Sequence, residues 1–199
     1  NFRSSGLIKS IGFKNILLLD ERMNLQLSDD TWVKRYPVTG IDNMLLMNTG
    51  DISILNYNDC NLPYIAQQML KKKIGKVDLL LNNFNHAGKL LEYPLASKEN
   101  IHLELKERFF NTIKAFYPRY TIPFASSHYY RAKETTDQNT SLMDVGDLLN
   151  ITKSLIPLNI GDKVLFKDNL IDYNIIPFEK IYLNQIDIKI RKKSYNLKL

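Results

Sequence analysis

An apolar stretch that ends abruptly on polar residues constrains the fold of this chain most strongly. Residues 53–57 have the apolar character of a buried strand, and the chain continues through Asn58, Asp59 and Cys60 to a proline at position 63. A helical pattern begins directly behind this strand end. Because open α/β sheets bind ligands at the carboxyl ends of their strands, this stretch predicts a polar site at a sheet edge.

The residues upstream of this stretch predict an antiparallel meander. Alternating apolar residues favour strands at residues 25–27 and 31–36, and apolar runs favour strands at 43–48 and 52–57. The turn sequence Thr49-Gly50-Asp51 joins the last two strands and is typical of a hairpin. A short apolar run at residues 16–19 predicts one more buried strand.

After Pro63 the pattern changes to an alternation of helices and strands. The predicted elements are a helix ending near Gly75, strands at 77–81, 120–124 and 163–166, a long helix capped by Ser97, and a helix at 144–155. In the first helix we expect Ile65, Met69 and Leu70 to form the apolar face. In the long helix the core positions are Ile101, Leu105, Phe109 and Ile113. The fold class is therefore α/β (α+β).

Three successive predicted strands end in polar clusters, at residues 58–59, 82–86 and 126–128. If these strands are parallel neighbours, the clusters line one edge of the sheet. Asp59 is then a candidate metal ligand, with a turn aspartate or helix N-cap as the alternative. His128 is a candidate imidazole ligand for zinc or iron, with a loop histidine as the alternative.

Three further residues near these strand ends are candidates for function. His86 lies at a strand end and is a candidate for substrate binding. Arg131 offers a planar fork for a phosphate or carboxylate, although a surface salt bridge is the favoured alternative. Cys60 is either a nucleophile or, the interpretation we favour, a small buried side chain.

Composition excludes several classes of function. The net charge of +6 comes partly from the C-terminal residues, so it disfavours a nucleic-acid site. The single cysteine precludes an internal disulfide and predicts a reducing, cytoplasmic location. No apolar run reaches the roughly 18 residues of a membrane span. The chain contains no P-loop, Gly-x-Gly-x-x-Gly, Cys-x-x-Cys or Gly-x-Ser-x-Gly motif.

The segment from Asp42 to Cys60, followed by residues 77–84 and 118–128, resembles the second half of metallo-β-lactamase-fold hydrolases. The subgroup that it resembles includes the CMP-N-acetylneuraminate hydroxylase type and related proteins of sugar metabolism. The resemblance covers residues 1–167 and leaves 168–199 as a C-terminal extension with a basic tail. It implies half of a four-layer αββα sandwich, in which Asp59 bridges two metals, zinc or iron, and His128 completes one shell. A metal-bound hydroxide would then attack a small-molecule substrate, such as a phosphorylated or nucleotide-linked sugar.

Two departures from that family set the remaining expectations. The motif His-x-His-x-Asp-His does not occur in this chain, and residues 36–42 lack the further ligand histidine that the family carries before the hairpin. The N-terminus, which has no initiator methionine and no signal-peptide pattern, indicates part of a longer protein. We therefore expect a missing N-terminal half or a homodimer partner to complete the site and to cover an apolar sheet face. The alternative is a non-catalytic binding or structural domain that keeps the fold and has lost the metal.

Overall fold

The main element of this chain is a six-stranded mixed sheet. The computed structural model describes residues 6, 8–17, 19–21, 23–38, 42–86, 97–126, 130–131, 133, 136–158, 163–167 and 170–174. The strands lie side by side in chain order: β1 (Asn24–Gln26), β2 (Trp32–Pro37), β3 (Asn43–Asn48), β4 (Ser53–Asn58), β5 (Leu79–Asn82) and β6 (Tyr120–Pro123). Strands β1 to β4 pair antiparallel, whereas β4, β5 and β6 pair parallel. The predicted meander followed by parallel neighbours is thus confirmed.

Two α-helices make the crossovers between the parallel strands. Helix α1 (Tyr64–Ile74) joins β4 to β5, and helix α2 (Lys98–Phe116) lies between β5 and β6. The Ser97 side chain accepts a hydrogen bond from the Asn100 backbone N–H, so the predicted cap of α2 is confirmed. Helix α2 ends at Tyr117, whose left-handed conformation (φ 46°) precedes Pro118.

The predicted hairpin between β3 and β4 is also confirmed. Gly50 has φ of +80°, a conformation that glycine adopts without steric cost. The Thr49 N–H donates to the Ile52 carbonyl at 3.0 Å, and the Gly50 N–H donates to Asn48 Oδ1 at 2.9 Å. These bonds fix the register in which Met47 faces Ile54.

Both helices pack on one face of the sheet, and in β3 and β4 the residues on that face alternate with half-buried ones. Met44, Leu46, Leu55 and Leu80 point to that face and are almost fully buried. They form one core with the α2 residues Ile101, Leu105, Phe109, Ile113 and Phe116. The apolar positions predicted for α2 are confirmed.

The apolar face predicted for α1 is wrong in two of its three residues. Ile65 and Met69 are 72% and 62% exposed, whereas Leu70 packs against the core together with Tyr64 and Ile74. Gln67 takes the buried position between them, and its Nε2 donates to the Leu62 carbonyl at 2.8 Å. Because this bond satisfies the amide nitrogen, the aliphatic stem of Gln67 packs inward and the helix is rotated away from Ile65.

Two other predicted elements differ from the structure. The run at 16–19 forms no strand among its described residues, and Leu17 is 75% exposed, since no neighbouring strand pairs with it. The predicted helix at 144–155 is a short 3₁₀ helix, Val145–Leu148, followed by turns. Its Asp144 and Asp147 form a capping box that favours the first turn only.

The chain divides into two compact units, residues 1–156 and 157–199. The second unit contains a two-stranded antiparallel sheet of β7 (Lys163–Lys167) and β8 (Leu170–Asn174). The strand predicted at 163–166 therefore exists, but it does not belong to the six-stranded sheet. A domain boundary after residue 167 stays a prediction. Among the described residues no helix is long and apolar enough to cross a membrane.

A buried polar clip joins β4 and β5 at the end where both strands begin. The Asp78 carboxylate accepts from the Ser53 N–H and from Ser53 Oγ, each at 3.0 Å. Lys76 Nζ lies 2.7 Å from the other carboxylate oxygen. Burial alone would raise the pKa of Asp78, but the hydrogen bonds from Lys76 and Ser53 outweigh it and lower that pKa. This clip fixes the parallel register of β4 and β5, and that register determines which residues meet where the two strands end.

We expect Asp78→Asn to lower the free energy of unfolding by about 2 kcal/mol at pH 7, because it weakens charge-assisted hydrogen bonds in a buried position. The folded pKa lies below the unfolded value of about 3.9, so this stabilisation is present above about pH 4 and is lost as the pH falls through the folded pKa. Urea unfolding at pH 7 and pH 3 measures the difference, with the exposed-turn variant Asp51→Asn as control. Equal differences at both pH values would contradict this assignment.

Candidate functional site

The chain turns directly after β4, and Asp59 lies in that turn at the edge of the sheet. Asn58 adopts a left-handed conformation (φ 49°), and its N–H donates to Asn56 Oδ1 at 3.0 Å. This conformation is unfavourable for residues other than glycine, although asparagine tolerates it better than most. Helix α1 is preceded by Pro63 and has no side-chain cap, so the alternative of Asp59 as its N-cap is wrong. Asp59 is instead an exposed carboxylate at the strand edge.

Asp59 is linked through an amide to a guanidinium group. Asn83, which follows β5, donates from Nδ2 to Asp59 Oδ1 at 2.7 Å. Arg108 on α2 donates from Nη2 to Asn83 Oδ1 at 3.2 Å and to the Asn85 carbonyl at 3.0 Å. The ends of β4 and β5 and one turn of α2 therefore meet in a single hydrogen-bonded chain.

Cys60, the residue after Asp59, has a buried thiol. Burial, together with the nearby carboxylates of Asp42 and Asp59, raises the pKa of Cys60 to about 12. Asp42 immediately precedes β3, whose first residues lie beside the last residues of β4 because the two strands are antiparallel. The favoured interpretation of Cys60 as a small buried side chain is confirmed, and two carboxylates flank it.

Ser126 and Asn85 connect the ends of β5 and β6. Ser126 Oγ accepts from the backbone N–H groups of Phe84 and Asn85 at 2.9 and 3.1 Å. The Asn85 amide donates to the carbonyls of Ser126 and Met143 and accepts from the Met143 N–H. Ala125, just before Ser126, has φ of 55°, so the chain is strained where it leaves β6.

His86 is buried, 8% exposed, and both of its ring nitrogens have partners. Its Nε2 lies 3.1 Å from Ser141 Oγ, and its Nδ1 lies 3.0 Å from the Tyr130 hydroxyl. Ser141 Oγ also donates to the Gln138 carbonyl at 2.8 Å, and the Tyr130 hydroxyl also bonds to the His86 carbonyl at 3.2 Å. These contacts tie the end of β5 to the segment around Tyr130. The role of His86 in substrate binding stays a prediction.

The other predicted site residues are not brought to Asp59 by the described part of the chain. His128 lies outside the described residues, although Ser126 and Tyr130 on either side of it are anchored to residues 84–86. Arg131 is exposed. Within the described ranges no three His, Cys, Asp or Glu side chains are grouped so that they would hold a metal ion. Carboxylates such as those of Asp42 and Asp59 are ligands that divalent cations accept, but the described residues by themselves do not form a metal site.

Sequence patterns did not identify three residues of this edge. Asn83, Arg108 and Asp42 are polar residues whose importance depends on which strands are neighbours. The strand-end cluster at 82–86 pointed to the neighbourhood of Asn83. The helical period of α2 does not show which of its polar residues lies at the carboxyl edge of the sheet.

We expect Cys60 to resist Ellman's reagent at pH 8 in the folded protein, because its raised pKa and burial leave almost no accessible thiolate. In urea one thiol per chain should react, since the chain has a single cysteine. The variant Lys72→Cys, at an exposed position of α1, should add one thiol that reacts in the folded state. Rapid and complete labelling of folded wild-type protein would contradict a buried Cys60.

Comparison with known proteins supports the fold. No protein-family model and no curated protein matches the sequence. The crystal structure of CmlA, a diiron beta-hydroxylase from Streptomyces venezuelae, is similar with a TM-score of 0.50 and 16% identity, over 72% of this chain. A mutant of the CmlA beta-hydroxylase gives a TM-score of 0.47 and 15% identity, over 60% of this chain. The chain spans 32% and 27% of those two structures. The chain thus has the fold of half a metallo-β-lactamase-type sandwich, with a six-stranded sheet and helices on one face.

Proposed function

We propose that this chain is the C-terminal part of a metal-dependent hydrolase of the metallo-β-lactamase fold. The observation that carries the proposal is the placement of Asp59. It stands at the carboxyl edge of three parallel strands, where sheets of this type bind ligands, and an amide holds one of its oxygens. Asp42 adds a second carboxylate beside the same buried thiol.

The metal is a divalent cation, zinc or iron. The described carboxylates suit either, and the fold similarity to a diiron beta-hydroxylase supports iron in particular. When bound, such a metal supplies an activated water or polarises a bond of the substrate. Asp59 and Asp42 would hold it, and His128 would complete one shell.

The substrate is a small molecule, in our proposal a phosphorylated or nucleotide-linked sugar, as in the CMP-N-acetylneuraminate hydroxylase subgroup. His86 and Arg131 are the proposed substrate-binding residues. His86 would act through the segment that it holds in place, because its ring nitrogens bond to Ser141 and Tyr130. Arg131 is exposed and presents a guanidinium to solvent.

The alternative function is a non-catalytic domain that keeps the fold without the metal. The described residues, which do not include His128, contain no group of three potential metal ligands. The two proposals differ in whether residues outside the described part, or another polypeptide segment, complete the site.

The sheet face opposite the two helices is buried at Val33, Leu79 and Ile122 and only half-buried at four other apolar residues. Leu45, Met47, Ile54 and Leu81 alternate with the core residues and therefore point away from α1 and α2. All four are half-buried, and they lie on three adjacent strands, β3, β4 and β5. We propose that the N-terminal half of the sandwich, or a second copy of the chain, packs on this apolar face.

Replacing Asp59 with alanine should abolish stoichiometric divalent-metal binding by the full-length protein, because it removes the carboxylate at the strand edge. Metal content after purification and isothermal titration with Zn²⁺ or Fe²⁺ measure the effect. Asp51→Ala, a carboxylate in the turn at the opposite end of β4, is the control and should bind like wild type. If the full-length wild-type protein contains no stoichiometric metal, that result contradicts the proposal of a metal-dependent hydrolase and favours the non-catalytic domain.

We expect Met47→Glu to weaken association through the sheet face opposite the helices, since it places a charge beside Ile54 and Leu45. Analytical ultracentrifugation should show the wild-type chain as a dimer, or bound to its N-terminal half, and the variant shifted at least tenfold toward monomer. Leu103→Glu makes the same kind of change at a position of α2 that is 65% exposed, and it should have no effect. A monomeric wild-type chain that does not bind the N-terminal half would overturn the partner proposal.

A further inference from the structure

Helix α1 exposes two large apolar side chains on its outer side. Ile65 and Met69 are 72% and 62% exposed, and they lie one helical turn apart on the same stripe of the helix. Single exposed apolar residues are common on protein surfaces, whereas neighbouring ones form a patch that marks a contact surface when it continues into further residues of matching chemistry.

A buried polar residue occupies the core-facing side of α1 instead. Gln67 is 2% exposed, and its Nε2 donates to the Leu62 carbonyl at 2.8 Å. Among the described residues, Gln67 Oε1 has no hydrogen-bond partner, and a buried polar atom in that state costs about 1–3 kcal/mol. The helix thus buries an amide and exposes Ile65 and Met69, the reverse of what folding alone favours. Natural proteins break such rules mainly where a surface has a function.

Lysine side chains continue the exposed stripe beyond Met69. Lys72 and Lys73 are exposed in the last turn of α1, and Lys76 follows directly behind the helix. The sequence has no Asp or Glu from residue 60 to residue 77, so this segment carries positive charge only. Lysines at a helix C-terminus stabilise the helix dipole. That effect accounts for the position of the lysines but not for the two apolar residues before them.

An exposed aromatic residue lies near the same end of α1. Strands β5 and β6 are parallel neighbours, and the Arg119 N–H donates to the Val77 carbonyl at 3.4 Å. The residues just before β6 therefore lie close to those just before β5, which brings Tyr117 near Lys76. Tyr117 is 86% exposed and Arg119 is exposed as well. Apolar, aromatic and cationic side chains thus meet where α1 ends.

We propose that this α1 surface, defined by Ile65, Met69, Lys72, Lys73 and Tyr117, binds the surface of a bilayer that contains anionic phospholipids. Lys72 and Lys73 face the lipid phosphates, and each basic residue near such a surface contributes about 1 kcal/mol. Ile65, Met69 and Tyr117 enter the boundary between headgroups and acyl chains, as apolar residues of interfacial helices do. This contact requires no membrane-spanning helix and does not depend on the proposed metal site.

The apolar residues favour a bilayer over a nucleic acid as the partner. Proteins bind single-stranded nucleic acid through a cationic groove and a series of aromatic side chains on which bases stack. The α1 surface has one aromatic residue, Tyr117, and a nucleic acid would leave Ile65 and Met69 exposed to water. A bilayer covers these aliphatic side chains and pairs with the lysines at the same time.

Co-sedimentation of the full-length protein with vesicles tests the proposal. We expect binding to phosphatidylcholine vesicles that contain roughly 30% phosphatidylserine, and no binding to phosphatidylcholine alone. Ile65→Ser/Met69→Ser should weaken binding roughly fivefold, because it removes the apolar contact. Leu103→Ser is the matched control, since Leu103 is 65% exposed on α2, and it should bind like wild type. Wild-type protein that stays in solution with both kinds of vesicle would overturn the proposal.

A pair of charge reversals separates the α1 surface from an effect of net charge. Lys72→Glu/Lys73→Glu should weaken binding to the anionic vesicles roughly tenfold or more. Lys98→Glu/Lys133→Glu changes the net charge by the same amount at exposed positions outside α1, and it should have little effect. If both double variants lose binding equally, the attraction follows the net charge and the α1 surface is overturned.

A fluorophore on α1 reports whether its apolar residues enter the lipid. Met69→Cys, labelled in the folded protein with an environment-sensitive dye, should shift its emission to shorter wavelength on addition of the anionic vesicles. Leu103→Cys with the same dye should not shift. An unshifted signal from Met69→Cys in sedimented protein would contradict the proposed contact.

Single-stranded oligothymidylate is the probe for the other class of partner. We expect it to compete poorly with the anionic vesicles. If the protein binds the oligonucleotide but not the vesicles, and Lys72→Glu/Lys73→Glu weakens that binding while Ile65→Ser/Met69→Ser does not, the surface belongs to a nucleic-acid site and the membrane proposal fails.

Discussion

The parallel alignment of β4, β5 and β6 is the constraint on which the rest of this structure depends. Parallel strands bring their carboxyl ends to one edge, so residues far apart in sequence become neighbours there. The clip between Ser53 and Asp78 sets the register at the opposite end, with hydrogen bonds that are buried and charge-assisted. A shift of one residue in that register would separate Asp59 from Asn83 and turn the core residues of β5 to the other face.

Two carboxylates and one guanidinium group lie at the carboxyl edge of the sheet. The carboxylates of Asp42 and Asp59 lie near the buried thiol of Cys60, and the guanidinium of Arg108 lies on the far side of the neutral amide of Asn83. The amide keeps the positive group from pairing directly with Asp59. An Arg–Asp salt bridge would occupy the carboxylate, whereas the amide occupies one oxygen only.

Local patterns were sufficient to predict the strands of the six-stranded sheet, the hairpin and the polar strand ends, because alternation and turn residues act over a few positions. They predicted the α2 core correctly, since Ile101, Leu105, Phe109 and Ile113 repeat with the helical period. The rotation of α1 was not predictable in this way, because the bond from Gln67 to the Leu62 carbonyl lets a polar residue occupy a core position. Arg108 was missed for a related reason: its contact with Asn83 joins residues 25 positions apart, and only the packed fold defines it. The link between Asp59 and His128 remains a prediction from the sequence.

Anomalous diffraction from crystals of the full-length protein grown with Mn²⁺ tests the central claim most directly. We expect an anomalous difference peak at about 2.2 Å from a carboxylate oxygen of Asp59, the distance typical of a metal bound by a carboxylate. Data collected at the manganese edge identify the ion. A fully loaded crystal with no peak beside Asp59, or with its peaks only elsewhere on the molecule, would contradict a metal site at this edge of the sheet.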